Sequence, residues 1–150
     1  KGIDCAIALQ GVEGNKIYNG NNQDIATVRS NINYSAATLD SYTFNPNSNF
    51  PRLDIDDKNN NGADYSDRFL EDGSYLRIKT VQVGYTFPNS ITSQISIDKC
   101  RIYFAGDNLY TFTNYTGYNP DVSANALGRG IDYKSYPLSK TILFGLQLNF

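Results

Sequence analysis

Four stretches of this chain place an apolar side chain at every second position. The plainest is the last, Lys140–Phe150. There Ile142, Phe144, Leu146, Leu148 and Phe150 share one face, while Thr141, Gly145, Gln147 and Asn149 share the other, with Leu143 the exception. A two-residue period marks a β-strand whose one face meets something apolar. A first strand over residues 2–18 sets Ile3, Cys5, Ile7 and Leu9 against Asp4, Ala6, Ala8 and Gln10, and continues through Lys16-Ile-Tyr18. A second, over 75–87, sets Val81, Val83, Tyr85 and Phe87 against Thr80, Gln82, Gly84 and Thr86, and Pro88 stops it. A third, over 99–113, sets Ile102 and Phe104 against Arg101, Tyr103 and Asp107.

The connections alternate between long (residues 19–74), short (89–98) and long (114–139). The first long one holds a single helical signal, Ser35 as N-cap of a short helix over residues 36–40. Strands in an ordinary sandwich are spaced evenly, with turns every ~8–12 residues. Unequal loops, and apolar alternation running to the final Phe150, point instead to a transmembrane β-barrel with short turns at one end and long extracellular loops at the other. The expected fold is therefore all-β: four antiparallel strands of a large barrel, since four strands cannot close one alone. In a barrel the row Ile142, Phe144, Leu146, Leu148 and Phe150 faces lipid, and Gln82, Arg101, Tyr103, Asp107, Gln147 and Asn149 face the lumen. Arg77 and Lys79 are expected to extend the lipid-side row into a headgroup layer, where long basic side chains snorkel.

Composition narrows the alternatives. No apolar run approaches the ~20 residues a membrane helix needs. Mean hydropathy is negative, which a barrel tolerates because half of each strand is polar. The net charge of −2, without a basic stripe, argues against a nucleic-acid partner. With no His in the chain, most triad chemistry and the commonest zinc ligand are excluded. Cys5 and Cys100 fall on strands with another strand between them. That separation, two spacings of ~4.8 Å, exceeds a disulfide's reach, so free thiols on lipid-facing positions are expected. The chain opens inside a strand, as a fragment or processed product would.

Three clusters carry candidate chemistry. Tyr115, Tyr118, Asn119, Asp121, Tyr133 and Tyr136 gather rings, an amide and a carboxylate in the second long loop. Such a mixture suits contact with a sugar or peptide, or with a protein lid; it equally suits loop self-packing. Asp57, Asn59, Asn61 and Asp64 resemble the first half of a calcium loop, the one cofactor signal present. Arg68 stands where that loop needs a bidentate carboxylate, which favours a solvated Asn-rich turn. Asp54, Asp56 and Asp57 offer paired carboxylates, but crowded in one polar loop they do not make a hydrolase site. No enzyme is expected.

Longer motifs carry a family resemblance. Ser66-Asp-Arg-Phe-Leu-Glu-Asp-Gly-Ser-Tyr-Leu-Arg-Ile-Lys79 with Gly84-Tyr-Thr-Phe-Pro88 resembles the C-terminal region of SusC/RagA-type TonB-dependent outer-membrane transporters. So do Gly11–Asn19, Arg101–Thr113, Gly117-Tyr-Asn-Pro-Asp121 and Gly130–Pro137, in the right order. Two residues depart from the pattern: Tyr42 stands where a Trp is expected, and Lys134 where a small residue is usual. The resemblance implies a plugged barrel of about 22 strands, of which this chain supplies the last four, with the plug and the remaining strands absent. It implies import of oligosaccharides or peptides across the outer membrane of a Gram-negative bacterium of the Bacteroidetes. The implied partners are the rest of the transporter, a SusD-like surface lipoprotein that closes over the mouth, TonB through the absent N-terminal part, and outer-membrane lipid. Gly145, Leu148 and Phe150 resemble the terminal signal read by the barrel-assembly machinery. The rival reading is a soluble β-sandwich carbohydrate-binding module with the tyrosines as its platform.

Overall fold

The computed structural model describes residues 2–28, 33–62, 65–122 and 128–150, without the side chain of Ile95. The chain divides into two compact units, Lys1–Glu13 with Tyr75–Thr113 and Leu138–Phe150, and Gly14–Ser74 with Asn114–Pro137.

The first unit is one antiparallel sheet of β1 (Ile3–Val12), β4 (Tyr75–Thr86), β5 (Lys99–Thr113) and β7 (Thr141–Asn149), in the order β1-β4-β5-β7. The β4–β5 link carries a short helix, α2 (Asn89–Thr92), and a 3-10 turn that closes at Ser96 in the left-handed region (φ 55°). Because paired residues share a face, the register settles which side chains stand together. Ile3, Tyr85, Ile102 and Leu146 form one row; Cys5, Val83, Phe104 and Phe144 the next; Ile7, Val81, Gly106 and Ile142 a third. The opposite face carries Asp4, Gly84, Tyr103 and Gly145, then Ala6, Gln82, Ala105 and Leu143, then Ala8, Thr80, Asp107 and Thr141.

No described residue within the unit covers the apolar rows. Phe144 is 79% exposed, and Ile3, Ile7, Ile142, Leu146 and Phe150 are likewise open. Tyr75 is the one buried hydrophobic residue described in this unit. Burying a large apolar side chain is worth about 1.5–3 kcal/mol, so leaving these rows in water forgoes on the order of 20 kcal/mol. That exceeds the whole stability of a typical domain, ~5–15 kcal/mol. A sandwich would bury this face under a second layer, so the soluble binding-module reading fails.

The sequence reading is corrected at one end of β4. The register slips between Ala8 and Leu9 on β1 and between Ile78 and Thr80 on β4, with Asn108 of β5 at φ 51°. A one-residue slip exchanges the faces. Beyond it Ile78 pairs with Leu9 and Tyr110, and Leu76 with Gly11 and Phe112, so these residues carry on the apolar face. Arg77 turns to the other side with Gln10 and Thr111. It is only 3% exposed, donates from Nε to Thr111 Oγ1 at 3.1 Å and lies 5.0 Å from the Tyr75 ring centre. Arg77 therefore does not extend the lipid-side row, and Lys79 sits exposed at the slip itself.

The second unit contains a three-stranded sheet, order β3-β2-β6, from β2 (Lys16–Asn19), β3 (Leu70–Asp72) and β6 (Ile131–Asp132). β2 pairs antiparallel with β3 and parallel with β6. The first predicted strand thus stops at Val12. Gly14 turns the chain at φ 79°, and Lys16-Ile-Tyr18 joins this other sheet. Helix α1 (Gly20–Ala26) follows, capped by Asn19 Oδ1 accepting from the Asn22 N–H at 2.9 Å. The expected helix over 36–40 is a 3-10 helix, and the Ser35 side chain accepts from the Ala37 N–H. Among the described residues of the second unit, Ile17, Ala26, Phe69 and Tyr115 are the buried hydrophobic ones.

Lys134 holds φ 60°, a left-handed conformation that costs a residue with a Cβ roughly 1 kcal/mol and costs glycine nothing. Lys134→Gly is expected to stabilise the unit by ~0.5–1 kcal/mol, read as a higher denaturant midpoint of the intact protein; a lower midpoint would refute the strain.

Candidate functional site

On the polar face of the large sheet, one chain of contacts crosses all four strands. Arg101 on β5 reaches over Gly84 of β4 to Asp4 on β1. Its Nε donates to Asp4 Oδ1 at 3.1 Å and its Nη2 to Oδ2. A Cβ at Gly84 would collide with both partners, so the glycine opens the path for this ion pair. The Arg101 guanidinium lies 5.1 Å from the Tyr103 ring centre, and the Tyr103 ring lies over Gly145 of β7, where a Cβ would overlap it. Nearby, Thr80 Oγ1 donates to Asp107 Oδ1 at 2.9 Å. Gln82, Arg101, Tyr103, Asp107, Gln147 and Asn149 all stand on this face, while Ile142, Phe144, Leu146 and Leu148 stand on the other. Gly145 therefore has a local reason for being glycine: it seats a ring. Leu148 pairs with Cys100, and β7 is an edge of the sheet. Cys5 and Cys100 are free thiols on the apolar face, with β4 between their strands.

Within the second unit, polar side chains tie distant segments together. The Glu71 carboxylate accepts from the Thr116 N–H, the Thr116 hydroxyl and Asn19 Nδ2, each at 2.8 Å. Tyr18 N–H donates to Gly130 O at 2.7 Å, and Lys134 N–H to Asn21 Oδ1 at 2.7 Å. Tyr115 is 5% exposed, and its hydroxyl donates to the fully buried Asp132 Oδ2 at 2.6 Å. Burial, with the Asp132 carboxylate beside it, drives the Tyr115 phenol far above the usual tyrosine range. Tyr18 and Tyr133 are also raised, chiefly by burial.

The six loop residues with candidate contact roles therefore divide. Tyr118, Tyr133 and Tyr136 present open rings, Tyr136 at 88% exposure. Tyr115 and Asn119 are buried. The Asn119 amide closes its own turn, accepting from the Asp121 N–H at 3.1 Å and donating to Asp121 O at 3.2 Å. These two are buried and hydrogen-bonded within the loop, and Asp121 is half-buried at the edge of that turn.

The calcium-like loop does not fit a cation. Asp57 Oδ1 accepts from the Asn61 N–H and Oδ2 from the Gly62 N–H, both at 2.8 Å. Arg68 Nη2 donates to the Asn61 carbonyl at 2.9 Å, placing positive charge where a calcium site needs a second carboxylate. Asp64 lies outside the described residues. Among the described residues no cluster of three or more His, Cys, Asp or Glu is placed to hold a metal.

Sequence reasoning missed α1, β3 and β6, and so assigned β2 to the large sheet and not to the small one. Asn19 before Gly20 was the available signal for α1, since Asn is a favoured N-cap. β3 and β6 are three and two residues long, too short to show a period.

A polar-faced, apolar-backed sheet without its own core defines a segment of a transmembrane β-barrel. Comparisons with known proteins agree. The chain is 29% identical, over its whole length, to TonB-dependent receptor P3 of Formosa agariphila, of which it covers 15%. It is 26% identical, again over its whole length, to TonB-dependent receptor SusC of Bacteroides thetaiotaomicron, covering 14% of that protein. It superposes on the structure of the RagAB peptide transporter with a TM-score of 0.82 at 26% identity, covering 100% of this chain and 16% of the other. No family model matches the chain. The chain is a segment of a SusC/RagA-type TonB-dependent receptor. It spans about one seventh of the length of these relatives.

Two outcomes test the site. Tyr115→Phe leaves the buried Asp132 short of a donor and should cost ~1–3 kcal/mol, read as faster amide exchange of β6 in the intact receptor; unchanged exchange would refute the brace. The raised Tyr115 pKa also fixes a sign. Its contribution is whole below the ordinary phenol range near ~10 and is lost as pH climbs from there through the raised folded value. Wild type should therefore lose protection of β6 above that range more steeply than Tyr115→Phe, and parallel profiles would contradict the assignment.

Proposed function

We propose that the chain forms part of the wall and extracellular mouth of a TonB-dependent outer-membrane nutrient importer, taking up oligosaccharides or peptides. The observation that carries this reading is the two-faced sheet. Its apolar rows suit outer-membrane lipid, and its opposite face, with the Asp4–Arg101 pair and Gln82, Asp107, Gln147 and Asn149, suits an aqueous lumen. Likeness to RagAB, a peptide importer, and to SusC supports import as the activity of the whole protein. The barrel's remaining strands and plug are supplied by the rest of the same receptor, whose N-terminal part meets TonB. A SusD-like surface lipoprotein covers the mouth, with the open rings of Tyr118, Tyr133 and Tyr136 available for the lid or for substrate. The unpaired edge of β7, with Leu148 and Phe150 on its apolar row, suits capture by the barrel-assembly machinery through strand addition. The relatives' sources, Formosa and Bacteroides, support a Bacteroidetes outer membrane.

Adjacent residues of β7 give a sharp test of the two faces. Ile142→Arg, on the apolar row, should cost ~2–4 kcal/mol if it lies near the bilayer midplane, whereas Leu143→Arg on the opposite face should cost under ~1 kcal/mol. Urea unfolding of the intact receptor in lipid vesicles measures both, and equal costs would reject the assignment. Import itself is tested by detergent-extracted outer-membrane localisation and by uptake that stops when TonB is deleted. A soluble native protein, or uptake indifferent to TonB, would overturn it.

A further inference from the structure

The second unit contains an open cleft of about 870 Å³ that none of the residues discussed above as contact sites lines. One wall is the turn around Asn45–Asn49, the other the turn around Asn59–Asn61, with Phe50, Pro51 and Arg68 between them. Both walls are set by bonds that do not use the cleft's remaining side chains. Asn45 Nδ2 donates to Asp40 Oδ1 at 2.8 Å, and Asn45 Oδ1 accepts from the Asn47 N–H at 3.1 Å. Tyr42 N–H donates to Phe50 O at 2.8 Å, tying the first turn back on itself. Asp57 fixes the second turn through the Asn61 and Gly62 N–H groups. Arg68 is stacked between the Phe50 and Phe69 rings, 5.2 and 4.8 Å from their centres, and its buried Nε has no hydrogen-bond partner among the described residues.

What remains facing solvent from these walls is a set of amides. The side chains of Asn47, Asn49, Asn59, Asn60 and Asn61 make no hydrogen bond among the described residues. Each amide presents two donors and an acceptor, and turns fixed in advance reduce the ordering cost of binding. Its volume falls in the ordinary range for a ligand pocket.

From this geometry we infer that the cleft is a binding subsite for a neutral oligosaccharide. Sugar hydroxyls both donate and accept, as amides do, and amides are the commonest side chains lining the cleft. A peptide needs apolar pockets for its side chains, and the apolar lining here is Phe50 and Pro51 alone. An acidic sugar is disfavoured, because Asp40 and Asp67 line the cleft against the single cation Arg68, whose Nη2 is already engaged with the Asn61 carbonyl. The inference rests on the importer reading and names the substrate class that one of its loop clusters recognises.

The test uses the complete receptor in detergent, titrated calorimetrically with maltohexaose, laminarihexaose, cellohexaose and mannohexaose, and with tetra-alanine as the peptide probe. The expected result is saturable heat from at least one hexasaccharide and none from tetra-alanine. The Asn47→Ala/Asn59→Ala double variant, changed at exposed turn positions, should weaken the sugar at least tenfold while retaining the heat-modifiable migration of a folded barrel. Should that pair misfold, Asn49→Ala alone is used, with at least a threefold loss expected. No sugar heat from wild type, sugar binding unmoved by the variants, or peptide binding that the variants weaken would each overturn the subsite. The importer reading is judged separately: a receptor that still shows TonB-dependent uptake while failing these titrations loses the cleft and keeps the transport.

Discussion

Everything in the large sheet depends on one constraint: its apolar face has no protein to cover it. The backbone satisfies its hydrogen bonds strand to strand, so the pleat sends alternate side chains to opposite sides. Ile3, Val83, Phe104, Phe144 and Leu146 then form rows that water will not stabilise and that no described residue of that unit shields. Lipid is the solvent in which such a face is at rest, and in lipid a sheet must also close its edges. Both demands make the sheet part of a larger barrel. The polar face follows from the same pleat. With one side given to lipid, the other is free to hold the Asp4–Arg101 pair and the Tyr103 ring, provided Gly84 and Gly145 leave room for them.

The second unit is held by different physics. Its described hydrophobic core is small, and segments far apart in sequence are joined by polar contacts instead. Glu71 gathers Asn19 and Thr116, and Tyr115 donates to a fully buried Asp132. Such networks are costly when incomplete and specific when complete. They keep long connections in defined positions while leaving surface amides and rings exposed.

Much of this was legible in the chain. A period of two needs no tertiary information, so the four large strands and both faces of β7 could be read directly. The 99–113 strand coincides with Lys99–Thr113. Arg77 was misplaced because one irregular residue near Lys79 reverses every side chain beyond it, and periodicity carries no mark of a slip in pairing. The small sheet could not be read as a sheet because its strands of two to four residues are specified by partners from about fifty to more than a hundred positions away. Among the site residues, the aromatic loop was recognised as a cluster, but composition could not separate the buried Tyr115 from the open Tyr136. The cleft itself had no signature in the chain, since Asn45–Asn49 and Asn59–Asn61 come to line one space only in the folded unit.

The most direct measurement of the central claim is spin-label accessibility along β7 of the intact receptor in bilayers, with single cysteines introduced from Thr141 to Asn149 and the native Cys5 and Cys100 replaced by Ala. The account predicts a two-residue alternation: high collision rates with oxygen at 142, 144, 146 and 148, and low ones at the positions between. A flat profile, or one in which the polar positions meet the lipid-soluble probe, would contradict it.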